Sequence, residues 1–405
     1  MQRWKKNLYA TWIAQLIAII GFSFAFPFIP FYIQELGVTD VGQVARWAGI
    51  LTGVSGLTAT VFSPIWGSLA DRYGRKLMVE RAMFGGAITI ACMGLSTNVY
   101  QLLALRIIQG ALTGTISASI ALVSTTTPEE RLGFSLGLMQ TAVFSGASIG
   151  PLIGGVVADF FGYRCSFYVT GGLLFIAGLI VLFLVKEKFQ PLSEEEISER
   201  NFRKNLWIIF SSRQLLAMIL VLLCVQFANK IVYPIFPLFI QSLVKDTSRI
   251  ASITGIMLAL TGIASALSSG IIGQVSDKIG YKNILIISTL GAGIFYLPQA
   301  FVGNIFQLFL LRVALGLFVG GIMPTANTII GLSVSEKHRG KVYGITASAS
   351  FLGNATGPIA GGIIASTLSL RAVFIFTAAI LIIAGTWIMT TVREPKRQKG
   401  SNLYY

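Results

Sequence analysis

The sequence predicts an all-α membrane protein with twelve transmembrane helices arranged as two parallel six-helix repeats. Hydrophobic residues make up 54% of the 405 residues and charged residues only 12%, which is about half the charged fraction of an ordinary soluble domain. Apolar runs of roughly 20 residues, each long enough to cross a bilayer, recur along the whole chain. The second half also repeats motifs of the first half at a nearly constant offset.

The apolar runs place the twelve helices and leave no segment for a sizeable soluble domain. Helices 1 to 6 are expected at about 8–33, 45–69, 77–96, 101–123, 132–158 and 165–185. Helices 7 to 12 are expected at about 214–241, 249–274, 283–302, 306–331, 342–367 and 370–392. The predicted division is therefore an N-terminal half at 1–185, a linker at 186–213, a C-terminal half at 214–392 and a tail at 393–405.

The distribution of positive charge predicts the orientation in the membrane. The loops on the side of the two termini carry 22 Lys and Arg residues, whereas the loops on the other side carry five. Because positively charged loops stay in the cytoplasm, both termini and the central linker are predicted to be cytoplasmic. This topology also explains the net charge of +15, so no nucleic-acid partner is expected.

The internal repeat is visible in motifs that are separated by six helices. "FPFIPFYIQ" at residue 26 matches "YPIFPLFIQ" at 233, and "GPLIGG" at 150 matches "GPIAGG" at 357, both at an offset of 207. "GSLADRYGRK" at 67 matches "GQVSDKIGYK" at 273, at an offset of 206. An even number of helices between the copies gives both copies the same orientation. Parallel repeats of this kind build transporters whose substrate site lies between the halves, near the middle of the membrane.

Three motifs of the first half resemble those of the major facilitator superfamily. The segment "GSLADRYGRK" resembles the family's signature loop between helices 2 and 3, and Leu102 to Gly110 resembles its helix-4 motif. The segment "GASIGPLIGG" at 146 resembles the helix-5 motif of the family's drug/proton antiporters. The chain looks most similar to twelve-helix bacterial multidrug exporters that include fluoroquinolone efflux pumps. This resemblance implies export of small amphipathic drugs by alternating access, in exchange for protons, across a bacterial plasma or inner membrane.

The loop between helices 2 and 3 is predicted to act as a gate on the cytoplasmic side. Its candidate residues are Gly67, Asp71, Arg72, Gly74, Arg75 and Lys76, with Asp277 and Lys278 in the second copy. The carboxylate of Asp71 can face the positive end of a neighbouring helix, and the resemblance implies that such contacts latch this side closed. The second copy has Tyr281 in place of Arg75, so its latch should be weaker. A basic loop that only sets the topology is the alternative.

The glycines of helices 5 and 11 are predicted to let backbones approach closely, as small residues do in membrane helices. The helix-5 motif contains Gly146, Gly150, Pro151, Gly154 and Gly155. The helix-11 motif contains Gly353, Gly357, Pro358, Gly361 and Gly362. We expect helix 5 to rock against its partner in the other half, with packing alone as the alternative.

Polar residues inside the helices indicate the substrate cavity, because such residues usually face a cavity or a partner. The candidates are Arg106, Lys230, Arg312, Gln15, Gln226, Asn229 and Asn327, with Phe22, Phe26 and Tyr233 as an aromatic wall. Three interpretations of Lys230 remain open: its amine reaches toward the outer interface, pairs with an acid such as Glu35, or contacts the substrate.

No Asp or Glu lies near the middle of a predicted helix, although many relatives carry a proton on such a residue. The candidates for proton coupling are Glu35, Asp159 and Asp71. Glu35 is preferred because it follows two prolines and can lie beside Arg106 or Lys230.

Two other functions remain open: export of a specific anionic metabolite, siderophore or acidic lipid, and an uncoupled facilitator. A membrane enzyme is disfavoured because the sequence contains no Ser/His/Asp set, no metal-type cysteine spacing and no phosphate-binding loop. We therefore expect no cofactor or metal. The expected partners are a small-molecule substrate, protons and membrane lipids, and the functional unit is expected to be a monomer.

Overall fold

The computed structural model describes residues 2–187, 189, 213–334 and 336–394, and these residues form helices joined by short loops, without strands. We number the twelve membrane helices in chain order and mark the two parts of a broken helix a and b. The first half contains α1a (Arg3–Ala25), α1b (Ile29–Glu35), α2 (Val41–Tyr73), α3 (Arg75–Met93), α4a (Val99–Leu112), α4b (Thr115–Thr126), α5 (Leu132–Phe161) and α6 (Tyr163–Leu184). The second half contains α7a (Arg213–Val232), α7b (Phe236–Leu243), α8 (Ile250–Ile279), α9 (Tyr281–Tyr296), α10 (Ile305–Leu332), α11 (Glu336–Thr367) and α12 (Leu370–Thr391).

The predicted all-α membrane fold with two repeats is confirmed. Ten helices within the described ranges are long and apolar enough to cross a membrane. The other two are α3, which begins with the charged sequence "RKLMVER", and α11, which is rich in Gly, Ser and Thr. Most of the predicted linker and tail, and the side chain of Asp277, lie outside the described residues, so the domain boundaries stay a prediction.

Three membrane helices are broken where the prediction had continuous ones. The breaks in α1 and α7 contain Pro27 and Pro234, and each proline removes a backbone donor and disfavours a helical residue before it. Helix 4 breaks at Gly114, whose φ of +127° strongly favours glycine. The α2 helix extends beyond the predicted 45–69, because Asp40 caps its start and Gly74, with φ +101°, ends it.

The two halves contact each other through equivalent pairs of helices: α2 packs on α11, and α5 packs on α8. A methyl group added at Gly49 of α2 would lie 3.0 Å from the Cα atom of Gly362 on α11. One added at Gly67, farther along α2, would meet no atom within 4 Å. The same contrast holds on α5. A methyl group added at Gly155 would lie 3.0 Å from a Cα atom of α8, whereas one added at Gly133 would meet no atom within 4 Å. The halves therefore touch at one end of the bundle and diverge at the other.

The bundle is open at the end that carries residues 2 and 394, which we call the proximal end, and closed at the opposite, distal end. At the distal end, α1b contacts α7b. The side-chain amides of Gln34 and Gln241 exchange hydrogen bonds of 2.9 and 3.2 Å across the two halves. These residues are 207 positions apart, which is the repeat offset. The contact therefore lies on the pseudo-twofold axis.

Candidate functional site

The breaks in α1 and α7 place an aromatic residue beside a cation in each half, below the distal closure. Lys230, near the end of α7a, places its amine 4.7 Å from the centre of the Tyr233 ring. Arg106 of α4a places its guanidinium 4.4 Å from the centre of the Phe26 ring. We call Lys230, Tyr233, Arg106 and Phe26 the central cation cluster. A cation over an aromatic face within about 6 Å is attracted by the ring.

The proline breaks explain why aromatic residues lie just below the distal closure. Phe26 and Tyr233 are equivalent positions in the repeat and both stand at the start of a break. At a break the backbone turns away from the helix axis, and both side chains are half-buried there. The repeat counterpart of Lys230 is Ser23. The lysine is therefore not required by the shared architecture.

Arg106 is held by polar contacts within the first half and is only 3% exposed. Its Nε atom donates to the carbonyl of Leu51 at 2.9 Å, and its Nη1 atom donates to Gln109 Oε1 at 3.0 Å. These bonds fix the guanidinium between α2, α4a and the α1 break. Two of its five N–H donors are thus used by the protein itself, and Arg106 contributes a fixed positive charge to the cluster.

Arg312 lies in an aromatic cage of the second half and does not line an open cavity. Its guanidinium lies 3.7 Å from the centre of the Phe236 ring, and the rings of Tyr296 and Phe374 are 5.7 and 5.9 Å away. Among the described residues, no acceptor contacts its Nε and Nη2 atoms. The hydroxyl of Tyr296 donates to Asn229 at 3.5 Å, which connects the cage to the residue before Lys230.

The remaining predicted cavity residues are only partly brought together. Phe22 contacts Phe26 with ring centres 5.7 Å apart, and Gln226 is half-buried on α7a. Gln15 is 1% exposed, and neither of its amide atoms has a hydrogen-bond partner in the described part of the chain. Asn327 lies 15 residues from Arg312 on α10, roughly 22 Å along the helix. Its position near the proximal end separates it from the cluster.

The ion pair between Lys230 and Glu35, one of the three interpretations of this lysine, is not formed. Glu35 instead pairs with Arg164 at 3.1 Å, and the two side chains are 39% and 40% exposed at the distal end. None of the ion pairs in the described ranges involves Lys230, Arg106 or Arg312. In the loop between α7b and α8, the N–H of Ser248 donates to Asp246, which lowers the pKa of that carboxyl. The central cation cluster thus has fixed cations without a carboxylate partner.

The predicted gating loop forms a capped turn at the proximal end. Asp71 pairs with Arg75 at 3.1 Å within the first half. The Glu187 carboxylate, which sequence reasoning missed, accepts from the backbone N–H groups of Arg75 (3.1 Å) and Lys76 (2.8 Å). Glu187 therefore caps the start of α3.

The second repeat contains the same arrangement. Glu394 accepts from the N–H groups of Tyr281 and Lys282, both at 2.8 Å. The repeated "VKE" at 185 and "VRE" at 392, 207 residues apart, was the signal that could have revealed both acids.

The helix-5 and helix-11 glycines pack mainly inside their own halves, which differs from the expected contact with the other half. A methyl group at Gly150 would lie 2.5 Å from Ser23 Cβ on α1a, and Gly146 and Gly154 face the same helix. On α11, Gly353, Gly357 and Gly361 face α7a in the same way. Only the last glycine of each motif, Gly155 and Gly362, faces the other half. The first three glycines of each motif fix the position of the broken helix.

Comparison with known proteins agrees with this geometry. The model of the Major Facilitator Superfamily matches residues 11–251 and 244–403. The chain belongs to the Major Facilitator Superfamily. A Multidrug resistance protein MdtG from Proteus mirabilis is 36% identical over 400 residues, covering 98% of each chain. The MdtG of Salmonella typhimurium is 34% identical over 391 residues, covering 96% of each.

Solved facilitator structures share the fold at low identity. A bacterial homologue of the human lysosomal transporter Spinster, in an inward-facing and occupied conformation, matches with a TM-score of 0.78 and 14% identity. The match covers 96% of this chain and 97% of that one. At this identity the likeness concerns the fold alone.

Proposed function

We propose that this facilitator exports small amphipathic compounds across the cell membrane by alternating access, in exchange for protons. The observation that carries the proposal is the central cation cluster, in which each half contributes one cation paired with an aromatic ring at its proline break, beneath a closed distal end. A site shared by two halves changes its access when the halves rock, as in other transporters built from repeats. The full-length similarity to proteins named for multidrug resistance supports drug-like cargo.

The proposed orientation places the proximal end in the cytoplasm. The loops of this end carry most of the Lys and Arg residues, and such loops remain on the cytoplasmic side of a membrane. The opening at the proximal end then corresponds to an inward-facing form that takes up cargo from the cell. We propose that a single chain, surrounded by lipid, performs the whole cycle.

Proton exchange is proposed to involve Glu35. Its carboxylate lies at the distal end and is partly exposed, so it is accessible to protons from outside. A proton on Glu35 would break the ion pair with Arg164, which also donates to the carbonyl of Gly94. Asp71 and Asp159 are the alternative carriers.

A second proposal concerns the charge of the cargo. Lys230 and Arg106 supply two positive charges, and no carboxylate among the described residues neutralises them. An unpaired charge in a low-dielectric site attracts an opposite charge strongly. This favours cargo that carries a carboxylate or another anionic group, alongside the aromatic contacts that Phe22, Phe26 and Tyr233 offer to flat apolar groups.

Transport in proteoliposomes tests both proposals. The purified protein is tested with matched cationic, zwitterionic and anionic amphiphiles, with and without an imposed pH gradient. Uphill movement only with the gradient supports proton exchange, and faster transport of anionic compounds supports the cargo proposal. Transport at the same rate with and without the pH gradient would establish an uncoupled facilitator. If no compound of the panel is transported, export of amphiphiles is contradicted.

A further inference from the structure

The junction between α5 and α8 is closed at the distal end by hydrogen bonds that cross from one half to the other. The Asp159 carboxylate, in the last turn of α5, accepts from the backbone N–H of Ala251 at 3.0 Å and of Ser252 at 2.7 Å. These are the second and third residues of α8. A helix is normally capped at these positions by the side chain just before its first turn. Asp159 therefore performs this role for a helix of the other half.

The α8 helix has no cap of its own, although the first amides of every helix need acceptors. Its N-cap residue is Arg249, whose side chain makes no capping hydrogen bond. The equivalent helix in the first half, α2, is capped within its own segment, because Asp40 accepts from the N–H of Gln43 at 2.8 Å. The repeat counterpart of Asp159 is Ser366. The repeated fold therefore does not require a cap that crosses the halves.

The surrounding packing makes this contact depend on the conformation. A methyl group at Gly155 would lie 3.0 Å from the Cα atom of Ser252, and Gly255 of α8 abuts the Pro151 carbonyl of α5. The backbones of α5 and α8 are thus in direct contact beside Asp159. Opening the distal end must separate these backbones, and both hydrogen bonds of Asp159 then break. The bonds exist only while the distal end is closed.

We infer that Asp159 is the latch of the distal gate: its carboxylate holds α5 against α8 and stabilises the form that is open at the proximal end. Release of the two N–H groups accompanies each opening at the distal end. Asp159 acts through position and not by contact with cargo, since it lies at the distal end of α5, outside the central cation cluster. The inference rests on the proposed alternating access, but it assigns a role that export itself does not require.

Distance measurements on the full-length protein test this latch. Spin labels at Phe161→Cys and Lys245→Cys, in a background in which Cys92, Cys165 and Cys224 are replaced by Ala, report the separation of the halves at the distal end. The Asp159→Ala variant should lower the ratio of closed to open molecules about five-fold, the factor expected for the loss of a helix cap. The matched control is Asp40→Ala, which removes a cap inside one half and should leave the ratio unchanged.

A double variant separates a latch from a simple helix cap. Asp159→Ala combined with Arg249→Asp restores a cap to α8 from its own segment. The ratio should remain low in this variant, because the restored cap does not join the halves. A return to the parent ratio, an unchanged ratio in Asp159→Ala, or an equal shift in Asp40→Ala would overturn the inference. The measurement needs no cargo, so its result is independent of whether the proposed export is correct.

Discussion

Lys230 provides the most direct test of the central cation cluster. Its side chain extends from a position about 25 Å along α7a, and its amine lies over the Tyr233 ring with no carboxylate partner in the described chain. The Lys230→Met substitution keeps the apolar stem and removes the charge. Lys230 Cβ packs close to Gly357, where an added methyl group would lie 3.0 Å from it. Methionine keeps this Cβ atom, so the fold should persist.

The expected loss follows from the interaction that the amine can make with an anionic group. A hydrogen bond to a charged partner contributes about 1.5–3 kcal/mol, which corresponds to roughly 10- to 100-fold in affinity. The Lys230→Met variant should therefore bind a carboxylate-bearing cargo roughly 10- to 100-fold more weakly. It should bind the amide analogue of the same compound nearly as well as the parent does.

Equilibrium binding of the acid and its amide, measured on purified protein in lipid discs, decides the question. The control is Lys6→Met, which removes an exposed lysine at the proximal end and should change neither affinity. If Lys230→Met weakens acid and amide equally, or neither, the lysine does not meet the cargo. The amine would then extend toward the outer interface, as a long lysine side chain can.

Three other substitutions test the gates and the packing. Glu35→Gln should abolish uphill transport driven by a pH gradient and leave downhill exchange intact; normal uphill rates would exclude Glu35 as the carrier. Asp71→Asn should raise the fraction of molecules open at the proximal end, as measured by distances between labelled proximal loops, and an unchanged distribution would contradict a latch there. Gly150→Ala should destabilise the protein by about 1–3 kcal/mol in thermal unfolding, because the new methyl group meets Ser23 at 2.5 Å. Gly133→Ala, with open space around it, is its control and should have no such effect.

The repeated motifs of the two halves show how much of the fold could be predicted from the sequence, before any contact in the structure was known. Hydropathy depends on composition within a window of about 20 residues, so the apolar runs mark the helices independently of their packing. The offset of 207 shared by Gln34 and Gln241 even locates the pseudo-twofold axis. The unusual position of Lys230 was also evident, since its counterpart Ser23 is uncharged.

The partners of the buried charges could not be predicted in the same way. One interpretation placed Glu35 beside Arg106 or Lys230, but the fold turns it toward Arg164. Arg312 was expected in the cavity, but the cage around Phe236 encloses it. The partner of a helical side chain depends on how each helix rotates and slides against its neighbours. These choices are made by side-chain packing between distant segments, which no local window contains.

The sequence by itself determined the membrane class, the twelve helices, their duplication and the family, because each follows from residue pattern along the chain. The tertiary structure alone decided which end is open, where Glu187 caps α3, and that Asp159 caps α8 across the two halves. The physical reason is that the free N–H groups at the start of a helix donate to any carboxylate that reaches them. In this chain the acids that reach α3 and α8 come from more than 90 residues away.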